Sequence, residues 1–208
     1  MQAAGWPALA IRRGKMQAWG MREIHGKRDC PFAWRVRVTA REKDLPFEWI
    51  PFDVPQPDPR AMANNPDRKS PLLVEDGFQL VESLVIAGYL DEAYPGRPLQ
   101  ALGARERAQM RVRSRELAKL EVHVEPGHPA TDEIRARVTR GYEALERMLA
   151  DGRQWLGGSG PDLSDVAVWP FLWKLDEAGL RIPEPLRKAG AYWKLARERE
   201  SLLETKPR

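Results

Sequence analysis

Extended and helical segments alternate along the first part of the chain, and only helical segments follow. Before Leu99, short runs of β-branched and aromatic residues stand between stretches with helical periodicity. After Gly103 the apolar residues recur at helical spacing, without a convincing strand. This change predicts an α/β domain at residues 21–97 and an all-helical domain at residues 98–208, with a loose extension at residues 1–20.

The α/β part has the pattern of a βαβ unit followed by a hairpin and a helix. A brief strand at residues 22–25 leads to a helix that begins at Pro31, because a first helical turn leaves the N–H that proline lacks unpaired anyway. Residues 47–52 predict a second strand. Asp76-Gly77 predicts a tight turn between two more strands, and the apolar spacing from Ser83 onward predicts another helix.

Composition excludes several classes of function. The net charge is +4, but charged residues of both signs make up 31% of the chain and are interspersed, so no nucleic acid partner is expected. No run approaches the ~18 consecutive apolar residues of a membrane span. A single cysteine excludes an internal disulfide and favours a cytoplasmic location. His25, His123 and His128 lack metal-ligand spacing, so no metal is expected.

Cys30 stands between the first predicted strand and the first predicted helix. A side chain at this position lies beside unpaired backbone N–H groups and the positive end of the helix dipole. Such surroundings favour the thiolate, which is the nucleophilic form of cysteine. From this position alone, a buried and inert cysteine is the equal alternative.

Four segments resemble the cytosolic glutathione transferase family, and especially its cysteine-type members of the omega and related classes. They are CPFAWRVRV at residues 30–38, NPDRKSPLL at 65–73, the Glu82-Ser83 pair and LDEAYPGRPL at 90–99. The resemblance implies the glutathione transferase fold, with a thioredoxin-like first domain of mixed sheet and helices and a C-terminal helical bundle. It also implies glutathione as cosubstrate and a homodimer.

The same resemblance implies a binding site for glutathione around catalytic Cys30. A cis bond at Ser70-Pro71 is expected to present backbone groups to the cysteinyl part of glutathione. Glu82 and Ser83 match the pair that holds the γ-glutamyl end, where a helix N-terminus suits a carboxylate. A plain N-cap at Ser83 and a solvated Glu82 are the alternatives. The residues implied to bind glutathione are Phe32, Lys69, Ser70, Pro71, Glu82 and Ser83.

One position departs from the family pattern. Omega-type members have a lysine before their second helix that meets the glycine carboxylate of glutathione, and Pro57 stands there in this chain, within a proline-rich connection. Arg68 and Lys69 are the candidates to replace that lysine. The acceptor substrate is expected between the domains, in a pocket lined by Met110, Arg113, Ser114, Leu117 and Trp173.

Residues 162–165 resemble the family's helix-start box, with Asp162 as N-cap and Asp165 at the third helical position. Pro170 falls inside the helix that this box begins. The apolar residues on both sides of the proline predict a kink in that helix and not its end. We assign this segment to folding and not to chemistry.

The cysteine selects the expected reaction, because a thiolate can itself attack a disulfide. We therefore expect a glutathione-dependent thiol transferase, similar to a dehydroascorbate reductase or a deglutathionylating enzyme. With one cysteine in the chain, the mechanism must be monothiol and must use external glutathione. Two alternatives stay open: a glutathione-conjugating or etherase-like enzyme, and a non-catalytic adaptor with the same fold.

Overall fold

The computed structural model describes residues 21–52, 65, 69–124 and 128–207. Four strands form one mixed sheet in the order β2-β1-β3-β4. They are β1 (Arg22–Gly26), β2 (Glu48–Pro51), β3 (Leu72–Glu75) and β4 (Phe78–Val81). Strand β1 pairs parallel with β2 and antiparallel with β3, and β3 pairs antiparallel with β4. The extension at residues 1–20 and most of the proline-rich connection lie outside the described residues.

The hairpin forms where the Asp-Gly pair predicts it. Asp76 and Gly77 have φ angles of 48° and 83°. Two consecutive positive φ angles suit the right-handed twist of the flanking strands, and Asp-Gly adopts them readily. Glu75 therefore pairs with Phe78 across the turn, and the prediction of a hairpin is confirmed.

Helices α1 (Pro31–Glu42) and α2 (Ser83–Ala93) pack together with the sheet in a first core. Its fully buried members come from both helices, two strands and the segment after α1: Ile24, Val36, Ala40, Leu45, Leu73, Ile86 and Leu90. The opposite face of α1 carries Trp34 and Val38 into a second, larger core. Helix α1 thus joins the two halves of the molecule and fixes the position of its own N-terminus.

The second half of the chain is helical. It contains α3 (Ala104–Leu117), a short 3-10 turn (Ala118–Leu120), α4 (Asp132–Met148), α5 (Leu163–Glu177), α6 (Arg187–Ala196) and α7 (Glu200–Glu204). The predicted fold class, a thioredoxin-like sheet with helices followed by a helical bundle, is confirmed. No helix in the described part of the chain combines the length and apolarity needed to cross a membrane.

Helix α5 begins with the predicted capping box. The carboxylate of Asp162 accepts a hydrogen bond from Ser164 N at 2.8 Å, and Asp162 N donates to Asp165 Oδ2 at 2.8 Å. Pro170 lies inside the helix without ending it. The predicted cap at Asp162 and the continuation of the helix past the proline are confirmed, and the kink at Pro170 stays a prediction.

Candidate functional site

Cys30 is the N-cap residue of α1 and is partly exposed. Its carbonyl accepts the first helical hydrogen bond, from Trp34 N at 3.0 Å. Its Sγ lies 3.7 Å from the carbonyl oxygen of Ser70. The thiol therefore lies beside the free N–H groups of the first helical turn, where a negative charge is stabilised.

A hydrogen bond and close packing hold the Ser70-Pro71 loop that faces Cys30. The Ser70-Pro71 peptide bond is cis, and Ser70 Oγ accepts a hydrogen bond from Lys27 N at 3.0 Å. Gly26 permits this close approach, because a Cβ added there would lie 2.7 Å from Ala33 Cβ and 2.8 Å from Ser70 Oγ. The cis-proline turn is thus held directly against the strand that leads to the cysteine.

Glu82 is the N-cap of α2 and has a φ angle of 71°. A positive φ is uncommon for a residue other than glycine and places strain at this point. Its Oε1 lies 3.1 Å from Lys69 Nζ, with both side chains more than half exposed. Ser83, considered above as a plain N-cap, is instead the first residue of the helix.

Asn65 holds the backbone on which Lys69 stands. Its side chain donates a hydrogen bond to the Lys69 carbonyl oxygen at 2.7 Å and accepts one from Lys69 N at 2.9 Å. Only 5% of Asn65 is exposed. Because both bonds involve the backbone of Lys69, they fix the entry into the cis-proline turn.

Arg35 joins this site to the helical half of the protein, and sequence reasoning missed it. Its Nη1 donates to Ser83 Oγ at 3.0 Å, and its Nε donates to the Ala167 carbonyl oxygen at 2.9 Å. The guanidinium also binds the Glu121 carboxylate. Burial lowers the pKa of Arg35, and the Glu121 charge opposes that effect. The one sequence signal that could have identified Arg35 is its position within the CPFAWRVRV segment.

A second buried cation, Arg37, also lies within electrostatic range of Cys30. Burial lowers the pKa of Arg37 to about 10, while negative charge at Cys30 acts in the opposite direction. The same influence of Cys30 acts on Arg35. The two guanidinium groups therefore attract a thiolate at the start of α1.

Phe32, which is partly buried beside Cys30, packs against α5. Its ring centroid lies 4.9 Å from that of Phe171 on α5, in an edge-on arrangement. The Arg35 guanidinium lies 5.5 Å from the Phe32 ring. Asp29, beside the cysteine, lies 4.0 Å from Lys174 Nζ. Contacts from α5 thus border the cysteine, and the sequence pattern gave no signal for Phe171 or Lys174.

The five residues expected to line an acceptor pocket are not gathered around one cavity. Met110 and Ser114 line a cavity of about 710 Å³ between β4, α2 and α3. Arg113 instead binds Asp162 at 2.7 Å, and Leu117 is buried in the larger core. Trp173 packs edge-on against Trp34. The four residues of α3 share one helix face, at i, i+3, i+4 and i+7, but that face extends from the cavity to the larger core, and Trp173 lies on a different helix.

Within the described residues, no group of histidine, cysteine and carboxylate side chains is arranged to hold a metal ion. The site instead offers a thiol, backbone groups at a cis-proline turn, a helix start with an acid and a hydroxyl, and a nearby lysine. This set suits a peptide-like ligand that carries both an ammonium and carboxylates.

Comparison with known families agrees with this geometry. The family model described as "Glutathione S-transferase, N-terminal domain" matches residues 24–98, and that described as "Glutathione S-transferase, C-terminal domain" matches residues 129–197. Together the two models cover more than half of the chain.

Three individual relatives share 26–29% sequence identity with this chain. A stringent starvation protein A homolog from Coxiella burnetii is 29% identical over 155 residues, covering 72% of this chain and 74% of the relative. Glutathione S-transferase omega-2 from Homo sapiens is 26% identical over 170 residues, covering 77% and 70%. The crystal structure of rice GST1 in complex with glutathione is 26% identical, covers 90% of this chain and 91% of its own, and has a TM-score of 0.73. The chain therefore belongs to the glutathione S-transferase family, a family that binds glutathione, and it is similar at low identity to omega-class members.

Proposed function

We propose that this protein is a glutathione-dependent thiol transferase in which Cys30 is the nucleophile. The observation that carries the proposal is the position of Cys30 Sγ, at the N-terminus of α1 and 3.7 Å from the Ser70 carbonyl oxygen at the cis-proline turn. A transferase that only activates the thiol of glutathione uses a tyrosine or serine hydroxyl at this position. A cysteine in the same place can itself exchange with a disulfide.

The proposed reaction has two exchange steps. The Cys30 thiolate attacks the glutathionyl sulfur of a mixed disulfide, forms a Cys30–glutathione disulfide and releases the other thiolate. A second glutathione thiolate then attacks the glutathionyl sulfur on Cys30, which yields glutathione disulfide and regenerates the Cys30 thiolate. Since Cys30 is the only cysteine of the chain, no internal thiol can take the place of that second glutathione.

Glutathione is proposed to bind along the cis-proline turn and the start of α2. The backbone at Ser70-Pro71 takes the cysteinyl part, and Ser83 with the free N–H groups of α2 takes the γ-glutamyl carboxylate. Glu82 takes the γ-glutamyl ammonium, and Phe32, next to Cys30, is a further proposed contact for glutathione. Lys69 is the proposed partner of the glycine carboxylate, since its side chain is 53% exposed beside the proposed site, 3.1 Å from Glu82 Oε1. This reaction needs reduced glutathione and so fits the cytoplasm.

The wild-type protein tests the proposal against its two rivals. We expect rapid glutathione-dependent reduction of hydroxyethyl disulfide and slow conjugation of 1-chloro-2,4-dinitrobenzene. The opposite ranking would support a conjugating or etherase-like enzyme. Because the chain is also similar to a stringent starvation protein A homolog, a non-catalytic adaptor with the same fold is the second rival function. A protein that neither binds immobilised glutathione nor turns over either substrate would support that adaptor role.

Arg35→Lys should raise the KM for glutathione about tenfold and change kcat by less than about twofold. Arg35 donates to Ser83 Oγ and so directs the serine hydroxyl proton away from itself, toward the proposed carboxylate. A lysine keeps the charge but cannot serve Ser83, Ala167 and Glu121 together. Steady-state kinetics with varied glutathione measures the effect.

The matched control for this prediction is Arg181→Lys, because 80% of the Arg181 side chain is exposed. We expect wild-type kinetics from it. An unchanged KM in a folded Arg35→Lys protein would show that Arg35 does not position Ser83.

We also propose a homodimer, as is typical of the family. Exposed apolar side chains line the 710 Å³ cavity between β4, α2 and α3, and Phe78, Leu84 and Val85 are 48%, 41% and 54% exposed. The cavity spans the proposed domain division at residues 97–98. An apolar groove of this kind suits the proposed pairing of one subunit's first domain with the other's second domain.

Val85→Glu should convert the dimer to a monomer, because burying a charged carboxylate at the proposed interface costs free energy. Light scattering after size-exclusion chromatography measures the mass. Leu203→Glu is the control, since Leu203 is similarly exposed at 48% but lies on α7, outside the groove. A monomeric wild type, or a Val85→Glu protein that stays dimeric, would contradict this interface.

A further inference from the structure

A second cavity, of about 300 Å³, opens between α1, β2 and the C-terminal end of the described chain. We call it the arginine cavity. Its volume is at the lower end of the roughly 300–1,000 Å³ that small-molecule pockets occupy. None of the residues proposed above to bind glutathione lines it. Its lining residues are Arg28, Arg37, Arg41, Phe47, Trp49, Glu204, Thr205, Lys206 and Pro207.

The walls of the arginine cavity carry an excess of positive charge. Three arginines and one lysine face a single carboxylate, that of Glu204. Glu204 lies 3.6 Å from Arg41 Nε, and Lys206 Nζ lies 3.3 Å from Glu177, outside the cavity. The lining side chains thus include more cations than anions, and such a lining attracts anions.

Arg37 has hydrogen-bonding capacity that the protein does not use. It is 5% exposed, and its buried Nε and Nη2 atoms have no hydrogen-bond partner among the described residues. These two atoms form one edge of the guanidinium, the edge that binds a carboxylate or phosphate through two parallel hydrogen bonds. Unpaired buried donors cost free energy. The lowered pKa of Arg37, about 10, reflects the same burial.

Aromatic rings hold two of the arginines in the cavity wall. The Arg37 guanidinium lies 4.2 Å from the Trp49 ring centroid, and the Arg41 guanidinium lies 5.4 Å from that of Phe47. Stacking of this kind engages the face of a guanidinium and leaves its N–H edges for another partner. The rings therefore preorganise the arginines for a planar anion.

We propose that the arginine cavity binds the oxyanion of a small molecule, a carboxylate or a phosphate, separately from glutathione. Arg37 supplies the two-point contact after a rotation of its side chain, and Arg28 and Arg41 add charge at the opening. The occupant accepts hydrogen bonds from the Nε and Nη2 atoms of Arg37. Arg37 also attracts the Cys30 thiolate, but the site uses neither Cys30 nor the start of α2, and probe binding is measured without thiol transfer, so the two proposals can fail separately.

Isothermal titration of the full chain, with saturating glutathione present and at constant ionic strength, tests this site. The two probes are inorganic phosphate and benzoate. We expect saturable binding of one probe per chain, and the tighter probe identifies the ligand as a phosphate or a carboxylate. Arg37→Gln should weaken that binding at least about tenfold, as expected from the loss of charged hydrogen bonds.

Arg181→Gln is the matched control, since it removes the same charge from an exposed position outside the cavity. It should bind the probe as the wild type does. If Arg37→Gln does not fold, Arg28→Gln replaces it and should weaken binding in the same direction. The proposal is overturned by an absence of saturable binding to the wild type, by displacement of the probe with glutathione, or by equal losses in the cavity variant and the control.

Discussion

Replacement of Cys30 by serine should lower the rate of glutathione-dependent hydroxyethyl disulfide reduction by at least about 100-fold. Cys30→Ala should lose as much. A serine hydroxyl is nearly isosteric with the thiol but is not ionised at neutral pH and does not exchange with disulfides. Since the chain has no other cysteine, no second thiol can rescue either variant.

Two measurements distinguish a lost nucleophile from a lost binding site. Steady-state rates with varied glutathione give kcat and KM, and titration of each variant with glutathione gives its affinity. Affinity should stay within about threefold of wild type, because the proposed binding groups at Ser70, Pro71 and Ser83 are unchanged. Mass spectrometry of wild type after incubation with glutathione disulfide should show one glutathionyl adduct, and the variants should show none.

An outcome in which Cys30→Ser keeps disulfide reduction would contradict the monothiol mechanism outright. Cys30→Ser could also lose disulfide reduction and gain 1-chloro-2,4-dinitrobenzene conjugation. That result would mean that the site activates glutathione itself once the cysteine is removed. Unreactive wild-type Cys30 that still lies beside bound glutathione would favour the conjugating enzyme over the thiol transferase.

Local chemistry accounts for what sequence could predict here. Pro31 suits the first turn of a helix, Asp76-Gly77 suits a tight turn, and Asp162 with Asp165 caps α5, and each preference acts between close neighbours in the chain. The cis bond at Ser70-Pro71 was an expectation from the family resemblance, and the structure confirms it. The roles of the binding residues remain proposals.

Contacts between distant segments account for what sequence could not predict. Arg35 meets Ser83, Glu121 and Ala167, which lie far apart in the sequence, and no periodicity identifies such partners. The acceptor pocket was expected between the domains, lined by residues 110–117 and Trp173, but Met110 and Leu117 are buried in different cores. Which face of a helix borders a site depends on how the two halves dock, and local pattern does not contain that information.

Asp165→Ala should lower the free energy of unfolding by about 4 kcal/mol, the largest stability effect we expect in the chain. The fully buried Asp165 carboxylate accepts three backbone hydrogen bonds, from Leu156 at 2.9 Å, Gly157 at 3.1 Å and Asp162 at 2.8 Å. Alanine leaves all three N–H groups without their partner. Two of those donors belong to the segment before α5, so the connection to α4 should loosen as well.

Asp165→Asn should cost about 2 kcal/mol, roughly half as much, because the amide oxygen still accepts while the amide nitrogen meets a donor. Urea denaturation, followed by far-ultraviolet circular dichroism, measures both variants. Asp151→Asn is the matched control: Asp151 binds Arg153 at an exposed position, so the denaturation midpoint of this variant should equal that of wild type. If Asp165→Ala unfolds at the wild-type midpoint, the buried carboxylate does not hold the start of α5. The stability of that helix would then depend on the packing of Trp169 and Phe171 in its apolar surroundings.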